Sequence, residues 1–112
     1  LYIDTEGANT SLVDFGSSTK KKVETITLDS LSLVKIKLLK IDAEGYEPEV
    51  LEGAVNTLSQ IEYIAVDYGN ERGIDNKSTL VEVTNFLYSV GFKLVADGSV
   101  RKVGLFKNLH PA

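Results

Sequence analysis

Leu38-Leu39-Lys40-Ile41-Asp42-Ala43-Glu44-Gly45-Tyr46-Glu47-Pro48-Glu49-Val50-Leu51-Glu52-Gly53-Ala54 reads as a short apolar strand, an acidic turn around a glycine, and a helix opened by proline. Proline suits the first helical position, where its missing N–H has no intrahelical partner to lose, and Glu47, Glu49 and Glu52 favour the positive end of the helix dipole. Leu51, Ala54, Val55 and Leu58 follow at i, i+3, i+4 and i+7 and make one apolar stripe. In open α/β sheets ligands bind beyond the carboxyl ends of strands, which is where Asp42 and Glu44 fall.

Upstream, residues 34–41 complete the strand; its end is continuously apolar, which predicts a place in the sheet interior. Val23-Glu24-Thr25-Ile26-Thr27-Leu28 alternates apolar and polar residues, the period of a half-buried strand, and Asp29-Ser30-Leu31 reads as a turn or a single helical turn. Residues 1–3 look like the end of a strand. Residues 4–22 read as a mobile loop, rich in Gly, Ser, Thr and Asn and ending in Lys20-Lys21-Lys22.

Downstream, Ile61 to Val66 is a further strand running into the polar loop Asp67-Tyr68-Gly69-Asn70-Glu71-Arg72-Gly73. Thr79 with Glu82 predicts a capping box, Leu80, Val83, Leu87 and Val90 a buried helix face, and Gly91 the helix end. Phe92 to Ala96 and Val103 to Phe106 are strands around Asp97-Gly98-Ser99, and Asp-Gly predicts that this last pair is antiparallel. The alternation of strands and helices gives an α/β fold.

The chain of 112 residues is enough for one domain, burying roughly two-thirds of the unfolded surface. A net charge of −4 argues against nucleic-acid and anionic-membrane partners, which select basic surfaces. No apolar run approaches the ~20 residues of a membrane span. Without cysteine there is neither a disulfide framework nor a thiolate metal site, which is compatible with a cytoplasmic location. Leu1-Tyr2-Ile3-Asp4 starts within an apolar segment and without methionine, so the chain reads as a piece of a longer protein.

Lys40, Ile41, Asp42, Glu44, Gly45, Glu47, Val50, Leu51, Gly53 and Ala54 together resemble the FkbM-type methyltransferases, whose hallmark is Lys-Ile-Asp-x-Glu-Gly-x-Glu followed by an apolar helix and Gly-Ala. The likeness runs from residue 23 to about residue 106 and is strongest over 38–54. It implies the carboxyl-terminal half of a class I methyltransferase (Rossmann-like) sheet, mostly parallel with an antiparallel final hairpin. Residues 1–112 would then be a single partial domain, with inserted strands and a loop over 1–33 and the α/β core over 34–112. The family's glycine-rich cofactor loop and the acidic residue for the ribose hydroxyls have no counterpart, although Gly7-Ala8-Asn9 faintly echoes the loop. Lys37 also stands where the family often has aspartate. The resemblance thus implies S-adenosylmethionine as cofactor of the full-length parent, no assignable cofactor-binding residues here, and a fragment inactive alone.

On that footing Asp42 is the first candidate catalytic residue, as general base or hydrogen-bond acceptor for a substrate hydroxyl; the competing role is a buried carboxylate capping the helix amides. Glu44, two residues on, shares its side if the strand stays extended, and the two could share a proton or hold a divalent cation, although no metal is assigned. Asp67, Tyr46 and Arg72 are the substrate-binding candidates. Against them stand a loop hydrogen bond from Asp67 to Asn70 or Arg72, and an exposed Arg72 ion pair with Glu71 or Asp75. Tyr46 and Tyr68 flank the acidic turns and either line the pocket or cover the sheet edge, and the lone His110 sits too near the chain end to be oriented.

The reaction implied is O-methylation of a sugar or secondary-metabolite hydroxyl. The alternative is a non-catalytic binding or assembly module, a homodimer paired through an exposed sheet edge. A receiver-like or metal-dependent phosphotransfer domain ranks last, for want of an early acidic pair.

Overall fold

In the computed structural model, which describes residues 1–3, 10–17 and 19–112, the sheet is built around the strand Ile61–Asp67. In chain order the elements are β1 (Ile36–Ile41), α1 (Glu47–Glu52), β2 (Ile61–Asp67), α2 (Leu80–Ser89), β3 (Phe92–Asp97) and β4 (Val103–Asn108). The strands lie in the order β1-β2-β4-β3. β1 runs parallel to β2 with Ile41 opposite Val66, and β4 runs antiparallel to β2 with Phe106 opposite Ile64. β3 is antiparallel to β4, as the Asp97-Gly98 turn predicts.

The expectation of a mostly parallel sheet is corrected: one pair of neighbours is parallel and two are antiparallel. β1, β2 and β3 do point the same way, but the single reversed strand β4 lies between β2 and β3, so only β1 and β2 meet as parallel neighbours. Among the described residues β1 is likewise an edge strand and not an interior one, with Leu38 exposed.

The core is one cluster of residues at most 3% exposed: Ile41 of β1; Leu51, Ala54 and Leu58 from α1 and the turns after it; Ile61, Ile64 and Val66 of β2; Val83 and Leu87 of α2; Phe92 and Phe106. The side-chain period of two along β2 puts Ile64 and Val66 on this covered face and Tyr63 and Ala65 on the other, where Tyr63 meets Leu38 and Leu105. No helix among the described residues is long and apolar enough to cross a membrane.

Local departures from the sequence pattern have physical causes. α1 stops at Glu52 and the chain continues through turns to a 3₁₀ segment, Leu58–Gln60, so Val55 loses the helical phase and is exposed while Leu51, Ala54 and Leu58 stay buried. Leu80 and Val90 lie at the ends of α2 and are exposed, leaving Val83 and Leu87 as its buried face. Thr79 makes no capping bond. Ser78 does that work: its Oγ accepts from the Leu80 amide (3.1 Å) and donates to the Tyr68 carbonyl (2.6 Å). Gly91 ends the helix at φ +89°, as expected.

Residues 23–28 form no strand. Asp29 instead ties the end of this segment to the turn after α1, its carboxylate accepting from the Asn56 and Thr57 amides and the Thr57 hydroxyl. Tyr2 makes isolated bridges to Ser11 and Lys20 in place of a strand end. The Gly7-Ala8-Asn9 echo, with residues 4–9 and 18 of the expected loop, lies outside the described residues.

Asn108 closes the sheet. Its buried amide donates to the Ile61 carbonyl (2.9 Å) and the Leu58 carbonyl (3.3 Å), and its oxygen accepts from the His110 amide (2.9 Å). Asn108→Leu strands these carbonyls in the interior and should cost about 1–3 kcal/mol, read as a lower urea midpoint with an unchanged slope.

Candidate functional site

Because β1 and β2 are parallel neighbours in register, their carboxyl ends lie side by side: Asp42 follows Ile41 directly, and Asp67 is the last residue of β2. Glu71 joins them from the loop beyond β2. Asp42, Asp67 and Glu71 each bring a carboxylate oxygen within 4.8 Å of the others. Asp42 is exposed and makes no hydrogen bond among the described residues, which answers the helix-capping alternative. Asp67 is 6% exposed, and its Oδ1 accepts from the Gly69 amide at 2.9 Å. The cation nearest it is Arg101, 3.7 Å from Oδ2 and with its own side chain 75% exposed. Burial, and then the charge of Asp42, raise the pKa of Glu71, with Arg101 opposing. Carboxylates this close can share a proton, accept a hydrogen bond from a hydroxyl, or draw a cation between them.

Glu44 does not join this group. The chain leaves the extended conformation at once, with φ +50° at Glu44 and +95° at Gly45, so the alternation that would have put Glu44 beside Asp42 ends with the strand. One Glu44 carboxylate oxygen is buried without a partner among the described residues, and its backbone carbonyl accepts from the Ser11 hydroxyl at 2.8 Å. The turn amide is taken by Glu47: Oε1 accepts from the Gly45 N–H at 3.3 Å, while Oε2 has no partner and the residue is 1% exposed. Burial raises the pKa of Glu47, and the charge of Asp67 adds to this.

Arg72 pairs with neither Glu71 nor Asp75. Its guanidinium forks onto Glu49 of α1 (Nη2 to Oε1 2.5 Å, Nη1 to Oε2 2.8 Å), and Nη1 also donates to the Gly45 carbonyl at 2.6 Å. The edge suited to an anionic substrate group is therefore filled by Glu49. Tyr46 lines an open groove of about 410 Å³ with Leu12, Thr27, Leu28, Glu49 and Val50. Tyr68 is buried and donates a short hydrogen bond to Asp97, which with burial pushes its hydroxyl up to about 12. It covers the sheet rather than opening toward solvent. His110 is exposed.

Of the sequence candidates, the structure brings Asp42 and Asp67 together, and it adds Glu71, which the sequence reading placed only as an ion-pair partner of Arg72. The available signal was an acidic residue in the polar loop that follows a strand end.

Glycines can open a cradle for a nucleotide-like cofactor when their missing Cβ leaves room for it. The two glycines next to these carboxylates do not. A Cβ on Gly45 would lie 2.6 Å from Arg72 Cα, and one on Gly69 would lie 3.0 Å from Glu71 Oε1 and 3.1 Å from Asp67 Oδ1. Gly45→Ala therefore combines a disfavoured φ with a backbone clash and should destabilise by at least about 1–3 kcal/mol, measured by urea unfolding.

Compared with models of protein families, residues 1–94 match the Methyltransferase FkbM domain. No curated protein and no solved structure gives a significant match.

Proposed function

The chain belongs to the FkbM methyltransferase family, which implies a methyl donor, and on that premise we propose that it forms the acceptor side of an S-adenosylmethionine-dependent O-methyltransferase acting on a sugar or secondary-metabolite hydroxyl. The observation that carries this reading is the meeting of Asp42, Asp67 and Glu71 at the carboxyl ends of a parallel strand pair. Asp42, exposed and free of hydrogen bonds among the described residues, is the group an incoming hydroxyl can reach. Its carboxylate orients the hydroxyl and takes its proton. Asp67 offers a second acceptor beside it.

S-adenosylmethionine, when bound, supplies the electrophilic methyl group; this chain's part is to place the oxygen. The described residues do not fit the rest of that cofactor, since the glycines at the site close on Arg72, Glu71 and Asp67. We therefore assign the donor pocket to further polypeptide and expect the chain to be inactive alone. In calorimetry with S-adenosylhomocysteine, the folded chain should show no saturable binding; micromolar binding would refute the split. In a methyltransferase containing this chain, Asp42→Asn should lower kcat by about 10²–10⁴-fold, and an unchanged rate would remove Asp42 from the chemistry.

A second reading, the assembly module, is favoured by one observation: the outer edge of β1 has no strand partner among the described residues, and Leu38 is exposed there. An unpaired edge recruits another strand, here β1 of a second copy. Light scattering should then show a mass that doubles with concentration; a constant monomer mass ends this reading.

A further inference from the structure

Asp42 and Asp67 are placed by the register of β1 and β2, but Glu71 belongs to no strand and needs another constraint. Its loop is folded partly on itself, with the Gly69 amide on Asp67 Oδ1 and the Glu71 amide on the Gly69 carbonyl, and partly on Lys102, whose carbonyl accepts from the Tyr68 amide and whose Nζ donates to Asn70 Oδ1. At its neck, Arg72 and Lys77 exchange backbone hydrogen bonds of 3.0 Å in both directions. None of these features fixes the loop against β1. The bonds that tie it there come from the residue after Glu71: Arg72 reaches the Gly45 carbonyl and Glu49, with its Cα packed on the Gly45 backbone.

We propose that Arg72 is the positioning residue of the carboxylate cluster: by clamping Glu49 and the Gly45 carbonyl it docks the 67–73 loop onto the acidic turn and holds Glu71 beside Asp42. The Arg72 and Glu49 side chains are part-buried, at 32% and 28% exposed, and beyond what the pair adds to stability its fork fixes geometry. A two-pronged fork fixes direction as well as distance, and lysine, a point charge on a flexible stem, cannot reproduce it. This role deepens the proposed function by saying how its site is assembled, and it rests on that reading only for the use made of the cluster.

The test is a carbon-detected NMR titration of side-chain carboxyls in the 112-residue chain. The variants are Arg72→Gln, Arg72→Lys, Glu49→Gln, Asp42→Asn, and Asp42→Asn combined with Arg72→Gln or with Glu49→Gln, each checked for folded amide dispersion. The charged groups around Glu71 are Asp42, Asp67 and Arg101. In the wild type Glu71 should titrate above the ordinary glutamate range, and Asp42→Asn should lower it. In Arg72→Gln it should fall to the ordinary range, after which Asp42→Asn adds nothing; Arg72→Lys should fall part of the way. The direction is diagnostic, because losing a positive charge by itself raises a carboxyl pKa, whereas moving Glu71 into water and away from Asp42 lowers it.

Glu49→Gln weakens the clamp from the other side and serves if Arg72→Gln does not fold; because losing a negative charge by itself lowers a carboxyl pKa, its readout is whether Asp42→Asn, added to Glu49→Gln, still shifts Glu71. A wild-type Glu71 titration in folded Arg72→Gln, or a shift by Asp42→Asn that persists in folded Arg72→Gln or Glu49→Gln, overturns the proposal. The readout needs neither methyl donor nor acceptor, so its failure leaves the proposed reaction standing, and failed methyl transfer leaves the clamp standing.

Discussion

Two parallel strands can be joined only by a chain that crosses back along one face of the sheet, and the stretch between Ile41 and Ile61 makes that crossing through α1 and the 3₁₀ turn. Leu51, Ala54 and Leu58 make it favourable, burying themselves against Ile64 and Val66 on the way. Everything at the site follows from this crossing. It brings the carboxyl ends of β1 and β2 together, so that Asp42 and Asp67, far apart in sequence, become neighbours. It also starts α1 directly above them, which buries Glu47 and presents Glu49 to the loop after β2.

The resulting electrostatics are unfavourable for folding. Three carboxylates converge, a fourth, Glu47, is buried close by with an unpartnered oxygen, and the raised pKa values of Glu47 and Glu71 express the cost of charging them. Arg101 is too exposed to compensate fully, and Arg72 is committed to Glu49. Stability must come from the apolar cluster behind the site. The site is thus a local arrangement that opposes the fold and is carried by the rest of it.

The elements that the sequence made legible are those written in local pattern: the apolar end of β1, the run of β2, the phase of Val83 and Leu87, Gly91 and the Asp97-Gly98 turn. Asp42 and Asp67 were legible too, since position at a strand end follows from the strand. The rest depended on contacts between distant segments. Glu71 takes its place because Arg72, next to it, is bound by residues 45 and 49. Glu44 leaves the site because it adopts a positive φ, rare outside glycine and unannounced by its neighbours. The alternation over residues 23–28 promises a strand only where a sheet edge is offered, and Asp29 secures that end of the segment to the turn after α1. The parallel or antiparallel character of neighbours turned on β4 entering between β2 and β3, which local pattern does not encode.

The use of glycine separates the two tasks of a group-transfer site. A cofactor cradle needs glycines whose absent side chains leave space for a ligand, whereas at this site the same absence is filled by protein. Gly45 admits the backbone of Arg72, and Gly69 lies against the carboxylates of Asp67 and Glu71. Gly45 thereby lets the loop after β2 close on the turn after β1, while Gly69 lets that loop fold onto its own carboxylates. The packing of the described residues thus fills the space beside their own glycines while leaving three carboxylates gathered at the end of one parallel strand pair.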